Sequence, residues 1–138
     1  MSLGRFVGPL EATHAQALAE LRAGAKRGHW MWWVFPQLRG LGRSETARLY
    51  GIADRAEAEA FLRDPRLGPR LVEAARAMLE NRGRRAEDVL GAVDALKLRS
   101  SATLFASLPG APPEFAALLE AFFDGEPCAR TQGMLEEP

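Results

Sequence analysis

Three polar side chains on one predicted helix have the types and spacing needed for chemistry. Lys97, Ser100 and Ser101 stand at positions i, i+3 and i+4, so they share one helix face. An ammonium group beside two hydroxyls is suited to hold an anion such as phosphate. In the structural alternative, both hydroxyls bond back to carbonyls one turn earlier while Lys97 lies on the surface. A serine nucleophile activated by Lys97 would also need an oxyanion hole, which the sequence does not show.

A second set of candidates surrounds the segment that holds all three tryptophans. His29 could act as a base or a ligand donor, or could simply bond a backbone carbonyl. Gln37 could recognise the edge of a planar ligand through its amide, or could fix its own loop. Aromatic side chains here could stack on a ligand ring, although hydrophobic packing is their commoner role. The remaining candidate binding residues around this segment are Trp30, Trp33, Ser44 and Tyr50.

The tryptophan segment, residues 29–36, must lie at the centre of the core. A buried tryptophan removes roughly 150–250 Å² of surface from water, and here three of them fall within four positions. Pro36 disfavours the α conformation at Phe35, so a helical turn should end by Val34. We expect the interior indoles to bring the serine-bearing helix alongside, so that both sets of candidates meet.

Helical spacing of apolar residues, interrupted by turn signals, continues along the rest of the chain. Ser44 and Asp54 are good N-caps. The predicted helices cover residues 11–23, 45–50, 54 onward, 69–81, 86–90, 94–108 and 112–123. Valine and isoleucine are scarce and no run alternates apolar and polar residues, so we expect no significant sheet.

The predicted fold is therefore all-α, a single irregular helical bundle of about six to seven helices. One globular domain is expected over residues 1–138. Its core should extend from about residue 6 to residue 125. Residues 126–138 are short and polar, which predicts a peripheral tail.

Composition excludes several classes of function. Eighteen basic and eighteen acidic residues balance, so there is no strong signal for nucleic-acid binding. We find neither a membrane span nor a signal peptide and expect a cytoplasmic protein. Cys128 is the single cysteine, which excludes an internal disulfide; with only His14 and His29 beside it, a zinc site lacks ligands. The sequence thus implies no metal and no cofactor.

Several runs of residues form a distinctive set along the chain: His29-Trp30-Met31-Trp32 to Phe35-Pro36-Gln37, Gly40-Leu41-Gly42 to Ser44, Tyr50-Gly51-Ile52, Leu67-Gly68 to Leu71, and Lys97-Leu98-Arg99-Ser100-Ser101 with Thr103-Leu104-Phe105. These runs resemble a small bacterial family known as domain of unknown function 1810, some of whose members carry the label calpastatin. The similarity extends from about residue 6 to residue 131. It implies an all-helical domain and assigns no activity. The family usually has an acidic residue where Cys128 stands and a methionine where Ala102 stands.

Three hypotheses of function follow from these residues. In the first, a cleft floored by Trp30, Trp32 or Trp33 binds an anionic small molecule, for which a nucleotide derivative is one candidate. In the second, a small enzyme uses the same cleft, with His29 or Lys97 in proton transfer. In the third, an exposed aromatic face makes the chain a protein-interaction module. The sequence leaves the ligand and the oligomeric state open.

Overall fold

The computed structural model describes residues 3–136, and nine α-helices occupy that range. This confirms the predicted all-α fold, since the β interaction found there is one isolated parallel bridge between Leu38 and Ile52. The helices are α1 (Gly4–Ala23), α2 (Met31–Val34), α3 (Glu45–Tyr50), α4 (Arg55–Arg63), α5 (Gly68–Leu79), α6 (Ala86–Leu90), α7 (Ala92–Ala106), α8 (Pro113–Phe123) and α9 (Ala129–Glu136). Nine helices replace the predicted six to seven, because α2 is a single turn and the C-terminal residues form α9. Over the described residues, no helix combines the length and the apolar character that crossing a bilayer requires.

The tryptophan segment forms the short helix α2 and divides its indoles among different environments. Trp30, at the N-cap, is 0% exposed, and its ring N–H donates to Glu20 at 2.9 Å. Trp33 is half-buried and donates to the Thr13 hydroxyl at 2.7 Å. Trp32 is also half-buried. The helical turn ends at Val34, as Pro36 predicts.

A chain of buried phenylalanines runs through the middle of the molecule. The ring centroids of Phe6 and Phe61 lie 5.2 Å apart, those of Phe61 and Phe105 lie 5.8 Å apart, and those of Phe105 and Phe115 lie 5.4 Å apart. All four rings are almost completely buried. Because they belong to α1, α4, α7 and α8, these contacts join the two ends of the chain in one core.

Helix α1 begins at Gly4, seven residues before the predicted start, and contains Pro9. A proline inside a helix costs about 3 kcal/mol, since it lacks an N–H and crowds the preceding turn. Burial of Phe6 and Leu10 offsets that cost, because each such side chain contributes roughly 1.5–3 kcal/mol. Arg5, in the same first turns, contacts the Glu57 carboxylate at 2.7 Å and so links α1 to α4. Long-range packing therefore decides where α1 begins.

The sequence predicts a peripheral tail at the C-terminus, but the structure has helix α9 there, packed on α7. Thr131 is 0% exposed, and Met134 packs against the core. The Thr103 hydroxyl accepts a hydrogen bond from the backbone N–H of Cys128 at 2.8 Å. The Arg99 side chain donates to the backbone carbonyl of Glu126 at 2.9 Å. These contacts place the start of α9 beside the polar face of α7.

Candidate functional site

A cleft of about 440 Å³ opens between the α2 segment, the glycine-bearing loop after it, α7 and the start of α9. That volume lies within the range of small-molecule sites. Its charged lining residues are all cations. The lining consists of Trp32, Gln37, Leu41, Gly42, Val93, Leu96, Lys97, Arg99, Ser100, Cys128, Ala129 and Arg130.

Lys97 is held at the cleft by an aromatic ring and a carboxylate. Its Nζ lies 3.9 Å from the centroid of the Trp32 ring, close enough for a cation–π interaction. The same atom lies 3.3 Å from Oδ1 of Asp94. Oδ2 of Asp94 lies 2.8 Å from Nζ of Lys26, in the loop after α1. The Asp94 carboxylate therefore forms ion pairs with both Lys97 and Lys26.

Two arginines add further positive charge. The Arg99 guanidinium lies 3.4 Å from the carboxylate of Glu126, which is largely exposed, so this is a weak surface pair. Arg130 is exposed and donates to the carbonyl of Gly40 at 3.3 Å. Together with the two lysines that share Asp94, these groups leave two positive charges without a carboxylate. The cleft therefore favours an anion.

Gln37 presents an unused amide on the wall of this cleft. The residue is only 9% exposed, and its backbone carbonyl accepts a hydrogen bond from the N–H of Ile52 at 2.8 Å. Its side-chain amide has no hydrogen-bond partner among the described residues. The amide is thus available to a ligand, both as a donor and as an acceptor.

Cys128 is a site residue that sequence reasoning missed. It is half-buried on the cleft and directly precedes α9, and the Ser100 hydroxyl lies 3.6 Å from its sulfur. Burial by itself raises the pKa of the thiol. Polar hydrogens of Thr131, Ser100 and the Arg130 backbone close to the sulfur outweigh this and hold the pKa of Cys128 below its usual value. The signal that could have revealed it is the position of the thiol immediately before a helix, since the partial positive charge of a helix N-terminus favours an anion.

The two predicted serines differ in their surroundings. Ser100 lines the cleft, and its hydroxyl bonds back to the Leu96 carbonyl at 3.1 Å, as the structural alternative had it. Ser101 is 1% exposed, has an unpaired hydroxyl and is not part of the cleft lining. Adjacent helical residues point about 100° apart, which separates the two side chains. Lys97 and Ser100 therefore share the cleft without Ser101.

Among the residues around the tryptophans, Gln37 and Trp32 line the cleft, and the other candidates lie elsewhere. His29 is exposed in the loop between α1 and α2 and is not among the lining residues, so it does not share this cavity with Lys97. Trp30 is enclosed in the core.

The aromatic and hydroxyl candidates further from the cleft have structural partners. Trp33 packs edge-on against Tyr50, with ring centroids 5.2 Å apart. Tyr50 also packs on Phe6, with centroids 6.0 Å apart. The Ser44 hydroxyl accepts from the backbone N–H of Ala47 at 3.0 Å and so caps α3. Their surroundings identify packing and capping roles for these three residues.

A larger groove of about 1030 Å³ lies along α4, α5 and the turn between α7 and α8. The charged side chains that line it already have partners. Glu59 pairs with Arg63 at 3.0 Å, and Glu73 contacts His14 at 2.6 Å. Arg76, the fourth, contacts a carboxylate on α8 at 2.8 Å. This groove therefore lacks the uncommitted polar groups of the cleft beside Trp32. Over residues 3–136, no group of three or more histidine, cysteine or acidic side chains is arranged to hold a metal ion.

The chain is similar in sequence and in structure to a protein already solved by crystallography. The conserved hypothetical protein Rv1873 from Mycobacterium tuberculosis is 46% identical, and the match covers 99% of this chain and 97% of that chain with a TM-score of 0.95. No curated protein matches the chain significantly. The profile of the family described as "Protein of unknown function (DUF1810)" matches residues 1–135. The chain belongs to this family.

Proposed function

We propose that the protein binds a small anionic molecule in the cleft beside Trp32. The observation that carries the proposal is Gln37, a residue that is 9% exposed and whose side-chain amide has no partner among the described residues, on the wall of a cavity whose charged lining is cationic. A ligand that pairs with this amide gives it a direct hydrogen bond in place of its contact with water. Excess positive charge beside the amide selects an anion for that role.

The lining indicates three chemical features of the ligand. A phosphate or carboxylate fits Lys97, Arg99 and Arg130. A polar edge with a donor and an acceptor fits Gln37. An apolar portion fits the side of the cleft formed by Val93 and Leu96, which are 68% and 64% exposed. A mononucleotide offers all three features in a size that suits 440 Å³, so we propose a nucleotide or a nucleotide derivative.

The other two hypotheses have less support from the described residues. Of the two candidates for proton transfer, Lys97 lines the cleft and His29 does not. The enzyme hypothesis therefore depends on Lys97. The interaction hypothesis needs an exposed aromatic face. The large hydrophobic side chains that are exposed within residues 3–136 are Leu49, Val93 and Leu96, none of them aromatic.

Titration calorimetry with adenosine monophosphate, inorganic pyrophosphate and uncharged adenosine tests the proposal. We expect the two anions to bind and adenosine to bind at least about tenfold more weakly, since a hydrogen bond to a charged group contributes roughly 1.5–3 kcal/mol and about 1.4 kcal/mol is tenfold in affinity. Gln37→Leu should weaken monophosphate binding while sparing pyrophosphate, and Lys97→Met should weaken both.

Arg82→Met is the matched control, because Arg82 is exposed in the turn after α5 and is not part of the lining. This variant should bind as the native chain does. Binding of neither anion, or equal affinity in all three variants, would contradict the proposal.

A further inference from the structure

The chain's one thiol stands on the wall of the same cleft. We propose that Cys128 is a covalent modification site, whose thiolate attacks small anionic disulfides held by the surrounding cations. The product is a mixed disulfide that fills the cleft. This inference rests on the proposed function, because the same side chains hold the anionic groups in both cases.

The first argument is the position of the sulfur. Cys128 is half-buried and borders the cavity, and it directly precedes the eight-residue helix α9. The N–H of Gln132 donates to the Cys128 carbonyl at 3.1 Å, which places Cys128 at the N-terminal end of the helix, and the Ser100 hydroxyl lies 3.6 Å from the sulfur. Partial positive charge at a helix N-terminus stabilises a thiolate, which is the nucleophilic form.

The second argument is independent of the cysteine. Gln37 is nine-tenths buried and lines the same cavity, and its side-chain amide has no partner among the described residues. That amide offers a polar occupant of the cavity both a donor and an acceptor. Lys97 and Arg130 line the same cavity, so a negatively charged occupant is held within reach of the thiol.

The reaction is a thiol–disulfide exchange. The Cys128 sulfur attacks one sulfur of the bound disulfide and forms a new S–S bond. The original S–S bond breaks, and its electron pair departs on the second sulfur as a thiolate. The disulfide is itself the oxidant, so the step needs no other reagent. Because the chain has no second cysteine, the mixed disulfide persists until an external thiol removes it.

Two aromatic disulfides, one anionic and one neutral, test this proposal when their reactions with Cys128 are followed by stopped-flow absorbance. The first, 5,5′-dithiobis(2-nitrobenzoate), carries two carboxylates, and the second, 4,4′-dithiodipyridine, is neutral at pH 8. We expect added salt to slow the reaction of Cys128 with the anionic reagent, because salt screens attraction to the cleft. For 2-mercaptoethanol, salt should accelerate the same reaction, since thiolate and reagent repel each other. The neutral reagent should show little salt dependence.

Variants then locate the charge. Lys97→Met should lower the ratio of anionic to neutral rate constants about fivefold to tenfold, while Arg82→Met should leave the ratio unchanged. If added salt accelerates the reaction of native Cys128 with the anionic disulfide, as it does for 2-mercaptoethanol, the proposal is overturned. This result does not depend on any variant. An unchanged ratio in a folded Lys97→Met variant would also overturn the proposal.

Pyrophosphate binding to the native chain separates this inference from the proposed function. If the native chain binds pyrophosphate but its thiol shows no preference for the anionic disulfide, the covalent inference fails and the binding proposal stands. If neither anion binding nor the preference is found, both fail.

Discussion

The Glu20 carboxylate stabilises the loop that leads into the tryptophan segment by accepting hydrogen bonds from it. Substitution of this residue gives a quantitative test of the fold. One carboxylate oxygen accepts from the backbone N–H groups of Arg27 at 2.7 Å and Gly28 at 2.9 Å, and from the indole N–H of Trp30 at 2.9 Å. The other oxygen accepts from Gln16 at 2.8 Å. Glu20→Gln keeps the size of the side chain and removes the charge, so we expect it to loosen this loop.

The magnitude follows from the protonation of the carboxyl. Burial by itself raises the pKa of Glu20, but the hydrogen bonds from Gly28, Arg27, Gln16 and Trp30 lower it from 4.5 to about 2. If the whole of this pKa shift appeared as stability, the ionised carboxylate would contribute about 3 kcal/mol to the free energy of unfolding. The side chain is partly exposed, and solvent screening reduces the expected loss at neutral pH to about 1–2 kcal/mol.

The sign of the pH dependence is fixed by the lowered pKa. Above about pH 4.5 the carboxyl is ionised in both folded and unfolded chains, and its contribution to the free energy of unfolding is complete. As pH falls toward 2, the unfolded chain takes up the proton first, and the contribution disappears. The difference between the native chain and Glu20→Gln should therefore narrow as the pH falls below 4.5.

Urea unfolding followed by circular dichroism, at intervals from pH 7 to pH 3, measures this difference. Glu11→Gln is the matched control, since Glu11 lies exposed on the same helix. It should change the free energy of unfolding by less than about 0.5 kcal/mol. A loss in Glu20→Gln that stays constant over the whole pH range, or no loss at pH 7, would refute the reasoning.

Three further substitutions test local packing. Gly68→Ala should destabilise the fold by about 3 kcal/mol or more in urea unfolding, because the new Cβ would lie 2.0 Å from the backbone oxygen of Leu62; a native-like midpoint would contradict this close approach. Gly133→Ala should instead stabilise by about 0.5–1 kcal/mol, since a Cβ at this position in α9 meets no atom within 4 Å beyond its chain neighbours and its own helix backbone, and destabilisation would contradict that geometry. Thr103→Val removes the acceptor for the N–H that precedes α9 and should cost about 1–2 kcal/mol, with faster hydrogen exchange confined to α9; uniform exchange along the chain would argue against this anchor.

Local signals predict much of the fold because their causes are local. Ser44 and Asp54 cap α3 and α4 with their side chains as expected, and Pro36 ends α2. Pro9 is the exception. Its own chemistry argues against a helix interior, and only the burial of Phe6 by distant residues shows why α1 includes it.

The candidate site was only partly predictable, for geometric reasons. Helical spacing places Lys97 and Ser100 on one face, and both line the cleft. The rotation of a one-turn helix decides which of three adjacent indoles faces that cleft, and pattern analysis cannot supply this rotation for Trp32. Cys128 and Arg130 lie far along the chain from these residues. Their place in the cleft depends on the packing of α9 against α7, which a polar tail sequence does not announce.

The ammonium group of Lys97 above the Trp32 ring gives the molecule an optical reporter. A positive charge next to an indole shifts the wavelength and the quantum yield of its fluorescence. An anion that moves the Lys97 ammonium group away from the ring therefore changes the fluorescence of Trp32. Trp33, whose N–H donates to the Thr13 hydroxyl, supplies a steady background. Trp30 is coupled to the change only indirectly, since Lys26 lies 4.9 Å from its ring centroid and shares Asp94 with Lys97. Occupancy of the cleft can thus be followed in the unmodified chain, without any attached dye.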